Sequence, residues 1–141
     1  MKISFQVIMS VILVFPIFIN AQIQDMYISS TVEKYFDRNR TAPTLMSVDV
    51  VDDYMYGRTL KLVIRGHRNS KNEDIGFAFG AAAAIAAKAN IPMETLWVEM
   101  EIRYKTMETT IAVAPAPCSI EAIVYKSRSF GFWWESCLNF L

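Results

Sequence analysis

The chain has 141 residues, one domain's worth, and its 14 basic and 14 acidic residues give a formal net charge of zero. A neutral chain lacks the general electrostatic attraction that holds nucleic-acid binders to phosphate backbones, so we expect no nucleic-acid partner. Hydrophobic residues make up 53% of the chain, and residues 1–21 supply part of that excess.

Residues 1–21 read MKISFQVIMSVILVFPIFINA. Lys2 precedes an apolar run, and small Ala21 follows it with an aliphatic residue two positions earlier, as in a secretory signal peptide and its cleavage site. The alternative is an uncleaved anchor, but the run is at the short limit for a bilayer span and Pro16 interrupts it. We therefore predict a signal peptide at 1–21 and a single periplasmic or secreted domain at 22–141, with no stable membrane span after cleavage.

The first predicted element of the mature chain is an amphipathic helix over residues 25–38. Its apolar residues recur at helical spacing and share one face: Ile28, Val32, Tyr35 and Phe36. Two strands follow, because TLMSVDVVDD and RTLKLVIRG alternate apolar and polar residues with period two. In the first of these strands Met46, Val48 and Val50 share the apolar side. The short connection DYMYG predicts a hairpin.

Residues 71–89 predict a central helix that begins at a capping box formed by Ser70 and Glu73. The uncharged part, residues 75–87, spans only about 20 Å, whereas a bilayer core is roughly 30 Å thick. Because a helix that is hydrophobic all round is a buried one, we predict a core helix, with a subunit interface as the alternative. The small residues spaced four apart predict a close-packed neighbour: Gly76, Gly80 and Ala84.

Two more alternating segments, TLWVEMEIRY and TTIAVAPAP, predict a second hairpin, and the remainder predicts a helix from about Ser119 and a second helical piece after Gly131. The order is α-β-β-α-β-β-α. This order predicts an α+β two-layer sandwich with a four-stranded mixed sheet, in which strands two and three are parallel. Charged residues mark one face of the sheet, so the helices are expected on the other face only.

The chain has two cysteines, Cys118 and Cys137. An even number of cysteines in an exported chain favours a disulfide, and two free thiols in a reducing compartment are the alternative.

The loop RGHRNSK carries four basic side chains beside a predicted helix N-terminus, where backbone amides favour anions. It predicts a weak site for a phosphate, sulfate or carboxylate, formed by Arg65, His67, Arg68 and Lys71. A solvated basic loop is the alternative. His67 is the only histidine, and a hydrolase would need it beside a cysteine or serine that the spacing does not select.

We expect no catalytic residues, no metal and no cofactor, because phosphate-loop, zinc and metalloprotease motifs are missing. Asp49, Asp52 and Asp53 close the first strand but lack the spacing of a calcium loop, so pairing with Lys61 and Arg103 is the simpler role.

The C-terminal stretch SFGFWWESCLNFL is dense in aromatic residues, which either complete the core or form a docking surface. We take Trp97, Trp133 and Trp134 as a possible interaction surface. The sequence thus predicts a small, exported, non-enzymatic protein-interaction domain, whose partner is another envelope or secreted protein or a second copy of the chain. An anion binder and a minor hydrolase are the alternatives.

Overall fold

A computed structural model describes residues 22–141, so the predicted signal peptide at 1–21 lies outside the described residues. In chain order the elements are helix α1 (Asp25–Asp37), strands β1 (Thr44–Asp53) and β2 (Gly57–Gly66), helix α2 (Lys71–Ala86), strands β3 (Thr95–Arg103) and β4 (Met107–Pro115), helices α3 (Ala116–Ser119) and α4 (Phe130–Ser136), and strand β5 (Asn139–Phe140). A 3-10 turn (Arg68–Ser70) precedes α2, and a π-helical turn (Ile120–Val124) extends α3.

The strands form one mixed sheet in the order β1-β2-β3-β4-β5. Strands β2 and β3 are parallel, and every other neighbouring pair is antiparallel. The predicted α+β sandwich, its two hairpins and the parallel crossover are confirmed, but the sheet has five strands where four were predicted. The additional strand, β5, pairs Phe140 with Ala112 and Asn139 with Val113. A strand of two residues is too short to show an alternating pattern.

The core lies between the helices and one face of the sheet. Buried side chains occupy every second position of the inner strands: Leu60, Leu62, Ile64, Leu96, Val98, Met100, Ile102, Ala112 and Ala114. Helix α1 adds Ile28, Val32 and Phe36. On the opposite face Lys61 lies across from Asp49 in the strand register, yet it forms an ion pair with Glu99 at 3.5 Å. Charged groups therefore keep that face free of helices, as the alternation predicted.

Strand β1 departs from strict alternation at Met46. The register with β2 shifts between Leu45 and Ser47, which is the mark of a β-bulge. Leu45 consequently packs against the core, while Met46, predicted to share the side of Val48 and Val50, is exposed. One unpaired residue moves the preceding side chains of the strand to the opposite face of the sheet. The alternation of apolar and polar residues alone does not reveal such a bulge.

The turn between β1 and β2 is held by local chemistry. The Asp53 carboxylate accepts hydrogen bonds from the backbone N–H groups of Met55 at 2.8 Å and Tyr56 at 3.0 Å. Gly57 then adopts a φ of 69°, in the left-handed region that favours glycine. The predicted hairpin is therefore closed by an Asx-type turn and a glycine.

The predicted capping box at the start of α2 is wrong, because the Ser70 side chain makes no capping bond. Its hydroxyl instead donates to Oδ2 of Asp74 at 2.9 Å, and the backbone N–H of His67 donates to the same oxygen at 3.2 Å. Asp74 is buried. One buried carboxylate therefore ties the preceding loop to the first turn of the helix.

Helix α2 is a core helix, but it ends at Ala86, earlier than predicted, and one stripe of it is partly exposed. Gly76, Gly80 and Ala84 lie on that stripe. Apart from its chain neighbours and the adjoining backbone of α2, no heavy atom of the described residues comes within 4 Å of a Cβ placed on Gly80, whereas a Cβ on Gly76 would lie 3.2 Å from the ring of Phe130. The close-packed neighbour expected along this stripe is thus present at Gly76 and missing at Gly80 among the described residues. Across residues 22–141, no helix has the length and apolar character needed to cross a membrane.

Candidate functional site

The C-terminal segment, which we define as residues 116–141, folds back across α2 and covers the β4 edge of the sheet. A disulfide joins Cys118 to Cys137, whose Cα atoms are 6.3 Å apart. Beyond it, β5 lies along β4, and the backbone N–H of Leu141 donates to the carbonyl of Ile111 at 3.0 Å. The predicted disulfide is confirmed, and it fits an extracellular or periplasmic protein, since disulfides persist in oxidising compartments.

Trp133 anchors this segment in the core. Its side chain is fully buried, and its ring meets the ring of Phe79 at a centroid distance of 5.0 Å. The indole N–H donates to the hydroxyl of Ser119 at 2.9 Å, and that hydroxyl donates to the carbonyl of Pro115 at 2.9 Å. Trp133 therefore cannot belong to the exposed surface that the sequence suggested. Consecutive residues of a helix point about 100° apart, so Trp133 faces inward while Trp134 faces outward.

Trp134 borders an open apolar depression between α2 and α4. We call this depression the aromatic groove; it has a volume of about 560 Å³ and is lined by Asn72, Glu73, Gly76, Phe77, Phe130 and Trp134. Phe130 is 50% exposed, and its ring lies 6.1 Å from that of Trp134. Glu73 is the one charged residue in the lining. Aromatic rings bordered by a few polar groups are typical of protein-binding surfaces.

The apolar surface continues beyond the groove. The ring of Phe140 lies 6.0 Å from that of Trp134, and Phe132 and Leu141 are also exposed. The aromatic density of the C-terminal stretch therefore serves both roles that the sequence left open. One tryptophan completes the core, and its aromatic neighbours remain at the surface.

Trp97 lies on the opposite, helix-free face of the sheet. Its ring meets the ring of Tyr56 at 5.5 Å, and the Nζ of Lys61 lies 5.6 Å from its centre. The structure thus places Trp97, Trp133 and Trp134 in three different environments, and they do not form one surface.

The aromatic groove depends on two residues of α2, Phe77 and Gly76, for which the sequence suggested other roles. Phe77 was part of a run taken as buried, and Gly76 was expected to face a neighbouring backbone. Phe77 is instead partly exposed, and it packs its ring edge-on against Phe36 of α1 at 5.0 Å. No signal in the sequence separates the partly exposed Phe77 from the buried Phe79 two residues later in the same helix.

Only two of the four predicted anion-binding residues share a cavity. Arg65 and His67 line a cavity of about 250 Å³, whereas Arg68 and Lys71 are not part of its lining. The guanidinium carbon of Arg68 lies 5.1 Å from the ring centre of Tyr104, which is a cation–π contact. The structure does not gather the four basic groups around one space.

The cavity beside Arg65 and His67 also carries two carboxylates, those of Glu73 and Asp74. Asp74 already accepts hydrogen bonds from the His67 backbone and the Ser70 hydroxyl. Negative groups in the wall weaken the attraction for an anion. The anion site remains a prediction that this geometry does not favour.

The pairing of His67 with a cysteine or serine, on which the hydrolase alternative rests, is not formed within residues 22–141. The sulfur atoms of Cys118 and Cys137 are bonded to each other, and the Ser70 hydroxyl donates to Asp74 and not to a histidine ring. His67 is exposed and reaches Asp74 only through its backbone. In the same part of the chain, no group of three or more His, Cys, Asp or Glu side chains is placed to hold a metal ion.

Comparisons with protein-family models, with curated proteins and with solved structures found no match.

Proposed function

We propose that this protein is an exported, non-enzymatic protein-interaction domain that receives an apolar segment of another envelope or secreted protein in the aromatic groove. The observation that carries the proposal is the groove itself, about 560 Å³ in volume, with Phe77, Phe130 and Trp134 in its lining. Fully burying an exposed aromatic side chain contributes about 1.5–3 kcal/mol. Phe130 is half exposed and the other two rings are partly buried, so a partner that covers all three gains a fraction of that amount from each ring.

The rigidity of the groove also supports the proposal. The groove is built on rigid elements, since Phe130 belongs to α4, and α4 is anchored by the buried Trp133 and the disulfide at Cys137. A preformed groove loses little conformational entropy when a partner binds. Gly76 of α2 allows the Phe130 ring to pack closely against this helix, which helps to fix the wall of the groove.

Export is the second part of the proposal, and two observations support it. The disulfide fits an oxidising compartment. In addition, the backbone N–H of Ile23 donates to the carbonyl of Lys88 at 2.7 Å, and the carbonyl of Ile23 accepts from Asn90 at 2.8 Å. These two hydrogen bonds fix Ile23 beside the end of α2, one residue after Gln22, which is the predicted start of the mature chain.

N-terminal sequencing of protein recovered from the periplasm or the medium tests export. We expect a chain that begins at Gln22, because small Ala21 suits the position before a signal-peptidase cut. Membrane-bound protein with an intact Met1 would show an anchor instead.

Site-specific photocrosslinking tests the groove. We expect a photoreactive phenylalanine analogue at position 130 to give one defined adduct in the native host, and the same analogue at the fully exposed Tyr54 to give none. The Trp134→Ser substitution should abolish the adduct, and Tyr54→Ser should leave it unchanged. Equal labelling at both positions, or none at either, contradicts the proposal. An adduct of two copies of this chain would assign the groove to a homodimer.

A further inference from the structure

The loop between α1 and β1, residues 38–43, contains a short motif that the aromatic groove does not use. Asn39, Arg40 and Thr41 form the sequence Asn-x-Thr, in which the middle residue is not proline. This is the acceptor motif for N-linked glycans in exported proteins. Of the six asparagines in the sequence, Asn39 alone has a serine or threonine two positions later, so the motif marks a single site.

A motif of three residues arises by chance in many sequences, so its place in the fold decides whether it can carry a glycan. Asn39 and Thr41 are both exposed, and they lie between α1 and β1 and not within either element. The backbone N–H of Ala42 donates to the carbonyl of Asn39 at 3.3 Å, which closes a turn over residues 39–42. The motif therefore lies in a surface turn, where a bulky group can be attached without breaking a helix or a strand.

There is open space beside Asn39. The residue belongs to the lining of a groove of about 500 Å³ between α1 and the start of β1. The charged neighbours Asp37, Arg38 and Arg40 are exposed as well, so the loop stands in solvent. A sugar joined to the Asn39 side chain extends into the groove or into solvent and displaces no core residue, whether it is attached before or after folding.

The second requirement is that the chain reaches the compartment in which glycans are transferred. N-linked glycans are attached to exported chains, so the site depends on the export proposed above. The disulfide between Cys118 and Cys137 fits the same route. Bacterial oligosaccharyltransferases require in addition an acidic residue two positions before the asparagine, and Asp37 occupies that position. The motif thus suits a periplasmic as well as a secreted protein.

We propose that Asn39 is an N-glycosylation site, whose donor is an oligosaccharide carried on a lipid diphosphate. The side-chain nitrogen Nδ2 of Asn39 attacks the anomeric carbon of the first sugar. A bond forms between Nδ2 and that carbon, the bond from the carbon to the diphosphate oxygen breaks, and the amide loses one proton. The lipid diphosphate is the leaving group, and the transfer involves no change of oxidation state. The hydroxyl of Thr41 is the second group that the transferase recognises.

Mass spectrometry of the protein recovered from its native periplasm or medium tests the proposal. Cleavage on the N-terminal side of aspartate releases residues 37–48 as one peptide. We expect this peptide to carry an added mass at Asn39 that fragments into sugar oxonium ions. An unmodified 37–48 peptide from a chain that begins at Gln22 overturns the proposal and leaves export standing. The unmodified peptide from a chain with an intact Met1 contradicts both.

Variants produced in the same host test whether the whole motif is required. Thr41→Ala should abolish the added mass, and Thr41→Ser should retain it, because serine also supplies the hydroxyl. Arg40→Pro should abolish it while keeping both acceptor side chains, and proline is favoured at this second position of a turn. The matched control Asn69→Gln changes an exposed asparagine outside the motif and should leave the added mass unchanged. Retention in Thr41→Ala or Arg40→Pro, or loss in Thr41→Ser or Asn69→Gln, overturns the assignment to this motif.

Discussion

The two edges of the sheet are completed in different ways. At the β4 edge the C-terminal segment returns to add β5, and a disulfide together with a fully buried tryptophan holds it there. At the β1 edge, no strand of residues 22–141 pairs with the outer side of β1, and the strand relies on a bulge and three aspartates. At the β4 edge a disulfide and a buried tryptophan hold the covering segment in place. At the β1 edge only a bulge and charged side chains oppose pairing with another strand.

This difference between the two edges affects how readily each of them can pair with a strand of another chain. An open edge invites unselective pairing, which charges and bulges oppose without removing the unpaired backbone groups. The two-residue strand β5 covers part of the β4 edge and so lowers that risk, and the segment that carries β5 also positions Phe130 and Trp134 over α2. The side covered by β5, the closed side, therefore exposes aromatic side chains, whereas the β1 side, the open side, exposes a strand edge that no strand of residues 22–141 covers.

The largest expected effect is on the closed side. Trp133→Ala should lower the free energy of unfolding by about 3–5 kcal/mol, because it empties a fully buried site and removes the hydrogen bond to Ser119. Urea unfolding measures this loss. The adjacent, partly exposed Trp134 is the matched control, and Trp134→Ala should cost far less. Equal losses for the two variants would show that the C-terminal segment is not anchored by Trp133.

Removal of the disulfide is the next largest effect. The Cys118→Ser/Cys137→Ser variant should lose roughly 3 kcal/mol on the loop-entropy model, since the cysteines are 19 positions apart. Hydrogen exchange should show the loss first at β5, whose pairing with β4 depends on the returning segment, while the β1–β2 hairpin stays protected. Simultaneous loss of protection at both edges would mean that the sheet opens as one unit and that the two edges do not differ in this way.

The contrast between the edges also separates what the sequence could predict from what it could not. The two hairpins, α1 and the parallel crossover follow from long periodic segments, in which each additional residue strengthens the pattern. The C-terminal segment consists of elements of two to seven residues, and its place on the sheet depends on contacts distant in sequence. The local pattern likewise did not reveal the bulge at Met46 or the role of Asp74, since each depends on which atoms meet after folding.

For the candidate site, the sequence identified the density of aromatic residues but not which of them are buried and which lie at the surface. Residues 133 and 134 are both tryptophan, and only the rotation of α4 against α2 decides that one is buried and the other borders the groove. The basic loop was the more conspicuous polar feature of the sequence. Its charges nevertheless separate in the fold, because Arg68 stacks over Tyr104 while Arg65 and His67 share a cavity with two carboxylates.

A smaller effect is expected in the turn that starts the open side. Gly57→Ala should cost about 1–2 kcal/mol, because a Cβ is unfavourable at a φ of 69° and would also displace the carboxylate of Glu94. Gly131, on the closed side, has no positive φ and only a distant neighbour at 4.0 Å, so Gly131→Ala should change the melting temperature little. A Gly57→Ala variant as stable as Gly131→Ala would show that the hairpin does not depend on this turn.

The smallest effect compares two glycines of α2, one covered by the C-terminal segment and one beyond its reach. Alanine in place of glycine stabilises a helix interior by about 0.5–1 kcal/mol, provided that the added methyl group has room. Gly80 has that room, so Gly80→Ala should raise the melting temperature by about 2–5 °C. At Gly76 the added methyl carbon would lie 3.2 Å from the ring of Phe130, so Gly76→Ala should gain less. Equal gains would mean that Phe130 moves freely and that the aromatic groove is not preformed, while a loss at Gly80 would show that another chain already covers this stripe.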